Sequence, residues 1–359
     1  MATMSPEQQT AIDHGEGPLV INAGAGSGKT RVLVHRVARL ISEGEAPESI
    51  VLATFTTAAA EEMKSRLATL VGDEVVERLA HVGTLHSLGY KFYRQQKGKR
   101  INAGKYGGSL LSPSQVTGMV RGIVEAPSRY CPFGHDLAND SEWGGSEYGV
   151  DMPRKAGKIA KAVSKIMDQN LTAEQYLSLP DADPVVGTVY KIMERLLDEG
   201  WAVQGKGRDR GWKRRQGGVI SVTFSCMGIR GLAAAKDDKV REAVIGRVKW
   251  VFVDEAQDCN PVQFGLMRVL ASQTSNLTMV GDDDQSIYSF RGAVPAEFIA
   301  QTKGEVTVVN LGTNYRSRRP IVEAAARLIA HNKERLGKEV APHRDHDEAE
   351  GVPVEVLAG

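Results

Sequence analysis

Residues 23–30 read AGAGSGKT. This is the pattern of a phosphate-binding loop, with Ala23 where the strict form has its first glycine. In such a loop Ala23, Gly24, Ala25, Gly26, Ser27 and Gly28 turn successive backbone N–H groups toward phosphate oxygens. Lys29 reaches the β/γ oxygens, and the Thr30 hydroxyl holds Mg²⁺. A second chemical cluster lies far along the chain, where the apolar run Val251, Phe252, Val253 ends in Asp254 and Glu255. Two carboxylates at the end of a buried strand need a cation: Asp254 suits the metal, and Glu255 suits polarising an attacking water.

The elements that must position these groups follow from the apolar pattern. A short run at 18–23 (PLVINA) leads through the glycine-rich turn into Val32, Leu33, Val37, Leu40 and Ile41 at helical spacing, which reads as strand, loop, helix. A strand at 50–54 and a helix at 57–70, stopped by Gly72, continue an alternating β and α pattern that implies a parallel sheet. Strand character returns at 248–253, 277–280 and 306–311, with Asn260 and Pro261 suited to open the helix between the first two and an amphipathic helix around 321–329. Lys29 and Asp254 stand much further apart than the ~30 residues of a βαβ unit. Residues 90–218, with several helices and no clear run of buried strands, account for the gap as an insertion. The expected division is 1–89 and 219–310 for the two parts of the first α/β domain, 90–218 for a mainly helical insertion, and 311–359 for the beginning of a second α/β domain.

Composition narrows the classes. The chain has 359 residues with 45 Lys plus Arg against 44 Asp plus Glu, and 42% are hydrophobic. That is enough for more than one folded domain and argues against disorder. No apolar run approaches the roughly 18 residues that cross a bilayer, and the opening residues lack the features of an export signal, so a cytoplasmic protein with no membrane partner is expected. Cys131 and His135 are spaced like two metal ligands, but no second pair accompanies them for a structural zinc. Two basic stretches, 91–105 and 206–215, read either as solvated faces or as contacts to a nucleic-acid backbone. The acidic tail at 345–350 reads as a solvated loop before a last strand at 353–357.

Taken together the motifs resemble one family, the superfamily 1 DNA helicases of the UvrD, Rep and PcrA type, from about Met4 to Leu357. Gln8 stands where that family places an adenine-reading glutamine, and Arg36 where it places a base-contacting arginine. Thr54, Phe55 and Thr56 resemble its first single-strand DNA motif, and the segment holding Thr84 and His86 resembles the next. Asp254 to Asp258 has the family's DEXQD form. GDDDQSIYSFRGA, from Gly281 to Ala293, is its longest signature. The resemblance implies that Gln285, on the strand beside Asp254, senses the γ-phosphate, that Tyr288 and Phe290 stack on unpaired bases, and that Arg291 is the cation beside them. Asn314 to Ser317 (NYRS) resembles the motif that opens the second RecA-like domain, with Tyr315 stacking on adenine and Arg316 approaching the γ-phosphate. Tyr288, Phe290 and Tyr315 also suit core packing, the commoner use of aromatics.

The resemblance has gaps. Thr57-Ala58 stand where the family has Asn-Lys, Leu85 where it has Phe, and Ser225 and Cys226 where acids are usual. The later family motifs would follow Leu357. The implied fold class is α/β, a P-loop NTPase with a RecA-like parallel sheet, an inserted mainly helical domain and the start of a second RecA-like domain. The implied function is an ATP-dependent DNA helicase or translocase, 3′ to 5′, using ATP and Mg²⁺ on single-stranded or double-stranded DNA. The alternative is a truncated or split helicase portion that binds DNA in response to ATP, or a subunit completed by a protein supplying the second motor domain.

Overall fold

The computed structural model describes residues 3–97, 111–125, 152–199, 201–204, 211–214, 223–243, 245–288, 292–332 and 335–343. Contacts divide the chain into two units: Met1–Leu88 with Arg241–Gly359, and Gly89–Val240.

The first unit opens with α1 (Pro6–Asp13). Its Ser5 cap accepts from the Gln8 N–H while the Gln8 side chain accepts from the Ser5 N–H, so two donors at the helix start are satisfied reciprocally. The buried strand β1 (Leu19–Ala23) precedes α2 (Lys29–Ser42), which buries Val32, Leu33, Val37 and Leu40. Then come β2 (Ile50–Thr54), α3 (Thr57–Val71), α4 (Asp73–Glu77), β3 (His81–Thr84) and the first turn of α5 (Leu85–Lys97), the rest of which, from Gly89 on, belongs to the second unit. Thr56 caps α3 by accepting from the Ala59 N–H. Gly72, at φ 88°, ends that helix as the sequence suggests.

The second unit is mainly helical: α6 (Pro113–Glu125), α7 (Met152–Asp168), α8 (Ala173–Leu177), α9 (Pro184–Asp198) and α10 (Phe224–Ala235), with the antiparallel pair β4 (Trp201–Gln204) and β5 (Gly211–Arg214). Helix α7 packs against α6, α9 and α10. Arg230 is tied inside this unit by Tyr93 Oη at 3.0 Å and Asp198 Oδ1 at 2.8 Å. The contact boundary therefore falls after α10, at Val240, whereas the expected boundary stood at 218.

Helix α11 (Asp238–Ala243) leads back to the first unit and to β6 (Trp250–Val253), α12 (Pro261–Ala271), β7 (Leu277–Gly281), α13 (Pro295–Ala300), β8 (Thr307–Leu311), β9 (Thr313–Asn314), α14 (Arg319–Ile329) and β10 (Ala341–Pro342). Asn260 and Pro261 open α12 with a reciprocal Asn260–Gln263 cap. Six strands form one parallel sheet in the order β3-β2-β6-β7-β1-β8. The core around it includes Leu19, Ile21, Leu33, Leu52, Met63 and Phe252. Each fully buried side chain of this size contributes about 1.5–3 kcal/mol. Two short strands, β9 and β10, form a separate parallel pair.

Strand β3 and the β4–β5 pair within the insertion are additions to the strands expected from the apolar pattern. All four β3 residues are only half-buried, so its apolar signal is weak. Phe290, Arg291, the Cys131 and His135 pair, the acidic tail, the strand expected at 353–357, and Lys99, Arg100, Lys105, Lys206, Arg208, Arg210 and Arg215 lie outside the described residues. Among the described residues no helix is long and apolar enough to cross a membrane.

Candidate functional site

Strands β1, β2, β6 and β7 run parallel, so the loops that follow them emerge at the same carboxyl edge of the sheet, the edge at which open α/β sheets bind ligands. The loop after β1 is the phosphate-binding segment. Ala23 ends the strand, and the Gly24 N–H donates to the Leu311 carbonyl at 3.1 Å. Ala25 is exposed, and the Ser27 hydroxyl donates to the Gly24 carbonyl at 2.7 Å, closing the turn. Gly26 and Gly28 adopt φ 68° and 85°, a region that glycine enters without strain. Gly28 is the N-cap of α2 and offers no side-chain cap. The first N–H groups of α2 are thus left without a side-chain acceptor, the condition for anion binding at a helix start.

The two acids that follow β6, Asp254 and Glu255, face this loop. The Thr30 hydroxyl donates to Asp254 Oδ2 at 3.1 Å, and Lys29 Nζ lies 3.4 Å from Glu255 Oε2. Asp254 is 3% exposed, and burial, with the Glu255 charge adding and Lys29 opposing, pushes its carboxyl up to about 6. A carboxylate so placed beside a hydroxyl gains from a hard cation, so the Thr30 and Asp254 oxygens fit Mg²⁺ by donor type. Gln257, to which the sequence reading assigned no role, links the parts. Its Nε2 donates to Glu255 Oε2 at 2.9 Å, and its Oε1 accepts from the Asp282 N–H at 3.0 Å. Only its place inside the DEXQD segment could have signalled it.

Gln285 departs from its expected place on a strand. Strand β7 does neighbour β6, but it ends at Gly281, and Gln285 sits beyond it in a 3-10 turn, Asp283–Gln285. The Asp282 side chain starts that turn by accepting from the Asp284 N–H, and it also accepts from Gln285 Nε2.

Two residues expected at the base, Gln8 and Tyr315, contact the loop itself. Gln8 is buried, with its Nε2 donating to the Ser27 carbonyl at 2.8 Å, so its amide braces the phosphate loop. The Tyr315 N–H donates to the Gly26 carbonyl at 2.9 Å, and the Tyr315 ring lies 4.6 Å from that of His343. Asn314 Oδ1 accepts from the Arg316 and Ser317 N–H groups at 2.8 Å each, which holds Arg316 beside Gly26.

Arg36 corrects its expectation as a base contact. It is fully buried, and its guanidinium donates to the carbonyls of Ala11, Ile12, His14 and Gly15. These are the orphan acceptors at and just beyond the C-terminal end of α1. Burial lowers Arg36 to about 10, which leaves it charged at neutral pH. In this structure Arg36 therefore anchors the helix that carries Gln8.

A second group gathers at the same sheet edge. Thr54 and Thr84 are register partners at the ends of β2 and β3. The Thr54 hydroxyl is buried and has no hydrogen-bond partner among the described residues. Phe55 follows β2, and its ring lies 5.0 Å from that of Tyr288. His86, in the first turn of α5, meets Gln263 Nε2 at 3.4 Å through Nδ1, and Thr84 Oγ1 accepts from the Ser87 N–H at 3.1 Å. The structure thus brings together Thr54, Phe55, Thr84 and Tyr288.

Comparison with known proteins agrees with this geometry. The family model described as "UvrD/REP helicase N-terminal domain" matches residues 4–305. A "Probable DNA helicase II homolog" of Rickettsia conorii is 30% identical over 351 residues, covering 96% of this chain and 48% of the relative. The "Putative ATP-dependent DNA helicase YjcD" of Bacillus subtilis is 32% identical over 355 residues, covering 95% of this chain and 40% of the relative. An "ATP-dependent DNA helicase PcrA" of Staphylococcus aureus is 31% identical over 341 residues, covering 93% and 41%. The chain thus spans less than half the length of these curated relatives.

Proposed function

The chain belongs to the UvrD/REP helicase N-terminal domain family, and from that premise we propose that it is the ATP-driven motor portion of a DNA helicase or translocase. The observation that carries the reading is the meeting of the phosphate loop with the two acids: Thr30 on Asp254 and Lys29 beside Glu255. ATP lies with its phosphates on Ala23 to Thr30, and Lys29 and Arg316 approach the β/γ end. Thr30 and Asp254 hold Mg²⁺, which, when bound, neutralises charge that develops on the phosphate oxygens. Glu255, aimed by Lys29 and Gln257, polarises the water that attacks the γ-phosphorus and accepts its proton, and the products are ADP and phosphate. Gln285 senses whether that γ-phosphate is present, and Tyr315 stacks on the adenine.

Single-stranded DNA crosses the Phe55 and Tyr288 face, joined by Thr54, Thr84 and His86, with Phe290 and Arg291 as further contacts. Bases stacking on aromatic rings contribute about 1–3 kcal/mol each without regard to sequence. Hydrolysis changes the closure between this domain and a second motor domain and so steps the strand 3′ to 5′. The location is cytoplasmic.

One observation favours a second reading: the chain spans 40 to 48% of the length of these relatives. On that reading residues 311–359 begin a second RecA-like domain that further sequence or a partner protein completes. The 359-residue chain alone then binds ATP and DNA without unwinding.

Strand displacement on duplexes with 3′ or 5′ single-stranded tails, with and without Mg-ATP, separates these readings. The first predicts ATP-dependent unwinding of the 3′-tailed duplex only, lost in Lys29→Ala. Binding of Mg-ATP and DNA without displacement supports the second. Displacement retained in Lys29→Ala contradicts both.

A further inference from the structure

Lys338 lies between α14 and β10, and its side chain is 1% exposed. Its Nζ is 2.6 Å from Asp282 Oδ1, 2.7 Å from Asp283 Oδ1 and 3.0 Å from Asp284 Oδ2. The same segment supplies two more donors: Arg335 Nη2 to Asp284 Oδ2 at 2.8 Å, and the Leu336 N–H to Asp283 Oδ2 at 2.6 Å. The three carboxylates lie within 4.8 Å of one another, close enough in type and spacing to hold a metal ion. Here a lysine ammonium takes that place. Three buried acids without a counter-cation would repel one another and force the turn open.

The turn that Lys338 closes is the one that carries Gln285. Asp282 accepts from Gln285 Nε2 through one oxygen and pairs with Lys338 through the other. The Asp282 N–H reaches Gln257 Oε1 at 3.0 Å, and Gln257 Nε2 reaches Glu255 Oε2 at 2.9 Å. A continuous polar chain therefore runs from a segment more than 50 residues downstream to the groups placed around the γ-phosphate.

We propose that Lys338 is a positioning residue for γ-phosphate recognition, acting through the Asp282–Asp284 turn on Gln285 and Glu255. The proposal rests on the reading of the nucleotide site given above. A residue that merely clips the fold together affects all nucleotides alike. A residue that aims Gln285 affects only those that carry a γ-phosphate.

The test is calorimetric titration of the 359-residue chain, in Mg²⁺, with ADP and with a non-hydrolysable ATP analogue. Lys338→Met is expected to reduce the preference for the analogue over ADP roughly tenfold, because small misplacements of contacting groups are felt on that scale. ADP affinity is expected to stay within about twofold of wild type. The pair Lys338→Gln with Asp283→Asn removes one charge of each sign and keeps side-chain volume, and it predicts the same loss where Lys338→Met does not fold. Adding Gln285→Ala to either variant costs less preference than Gln285→Ala costs in the wild-type chain, because Lys338 acts in part through Gln285. Equal weakening of both ligands, an unchanged preference, an additive effect of Gln285→Ala, or failure of both variants to fold overturns the proposal. A wild-type chain that binds neither nucleotide refutes the nucleotide site itself, and the positioning role falls with it.

Discussion

Glu255 sits at φ 53° and ψ 43°, a left-handed conformation that non-glycine residues seldom adopt. Strain of about 1–3 kcal/mol at such a residue persists only where its surroundings fix it. Lys29 and Gln257 provide that fixing, and the turn points the carboxylate at the phosphate loop. Glu255→Gln is expected to keep Mg-ATP affinity within a few-fold while lowering turnover by about 10²-fold or more, measured by nucleotide titration beside steady-state hydrolysis. Gly26 poses the opposite constraint. A Cβ there would lie 2.7 Å from Arg316 Cβ and 2.9 Å from Asn314 Oδ1, at a φ of 68°. Gly26→Ala is therefore expected to destabilise the first unit by about 1–2 kcal/mol and to weaken nucleotide binding, read by thermal unfolding with and without Mg-ATP. Phe55 and Tyr288 touch, so their losses overlap. Each alanine substitution should cost about 1–3 kcal/mol of single-stranded DNA affinity, and the double variant less than the sum of the two.

Among the elements, α7 carries a pH-sensitive end. Asp168, its last residue, is pushed up to about 7 by burial, against a hydrogen bond from Ser225. Folding thus favours its protonated form, so its contribution is most favourable below about pH 4 and is lost as pH rises toward about 7. Asp168→Asn should stabilise the second unit at pH 8 by about 1–2 kcal/mol, since the residue is only partly shielded from water, and should gain nothing at pH 4. Denaturant melts at the two pH values check this.

How far such elements could be read in advance depends on the kind of signal. Residues 50–54 and 250–253 announced themselves because central strands of a parallel sheet are covered on both faces and become continuous apolar runs. Strand β3, half-buried and holding His81 and Gly83, carries no such run. The phosphate loop was legible because its chemistry is contiguous in sequence. The anchoring of α1 by Arg36 was not, because its partners are main-chain carbonyls, which leave no mark on side-chain patterning. The Lys338 clamp was hidden for another reason: Asp282, Asp283 and Asp284 are contiguous in a legible motif, but Arg335 and Lys338 lie more than 50 residues away in sequence, and only the folded chain brings them to the acids.

At the scale of the whole molecule, a formal charge of +1 does not exclude DNA. Acids collect around Asp254–Asp258 and Asp282–Asp284, where Lys29 and Lys338 answer them, and basic residues collect at 91–105 and 206–215. The carboxyl edge of one parallel sheet carries both the phosphate-binding loop and the aromatic pair, so on the proposed function nucleotide and DNA would be bound by loops of the same scaffold. Ligands on one scaffold are expected to be coupled, and the coupling is reciprocal. The most direct test is the rate of ATP hydrolysis by the 359-residue chain with and without a single-stranded oligonucleotide, with Lys29→Ala measured in parallel. The account predicts hydrolysis that rises with the oligonucleotide and disappears in Lys29→Ala; hydrolysis that ignores DNA, or survives the loss of Lys29, would contradict it.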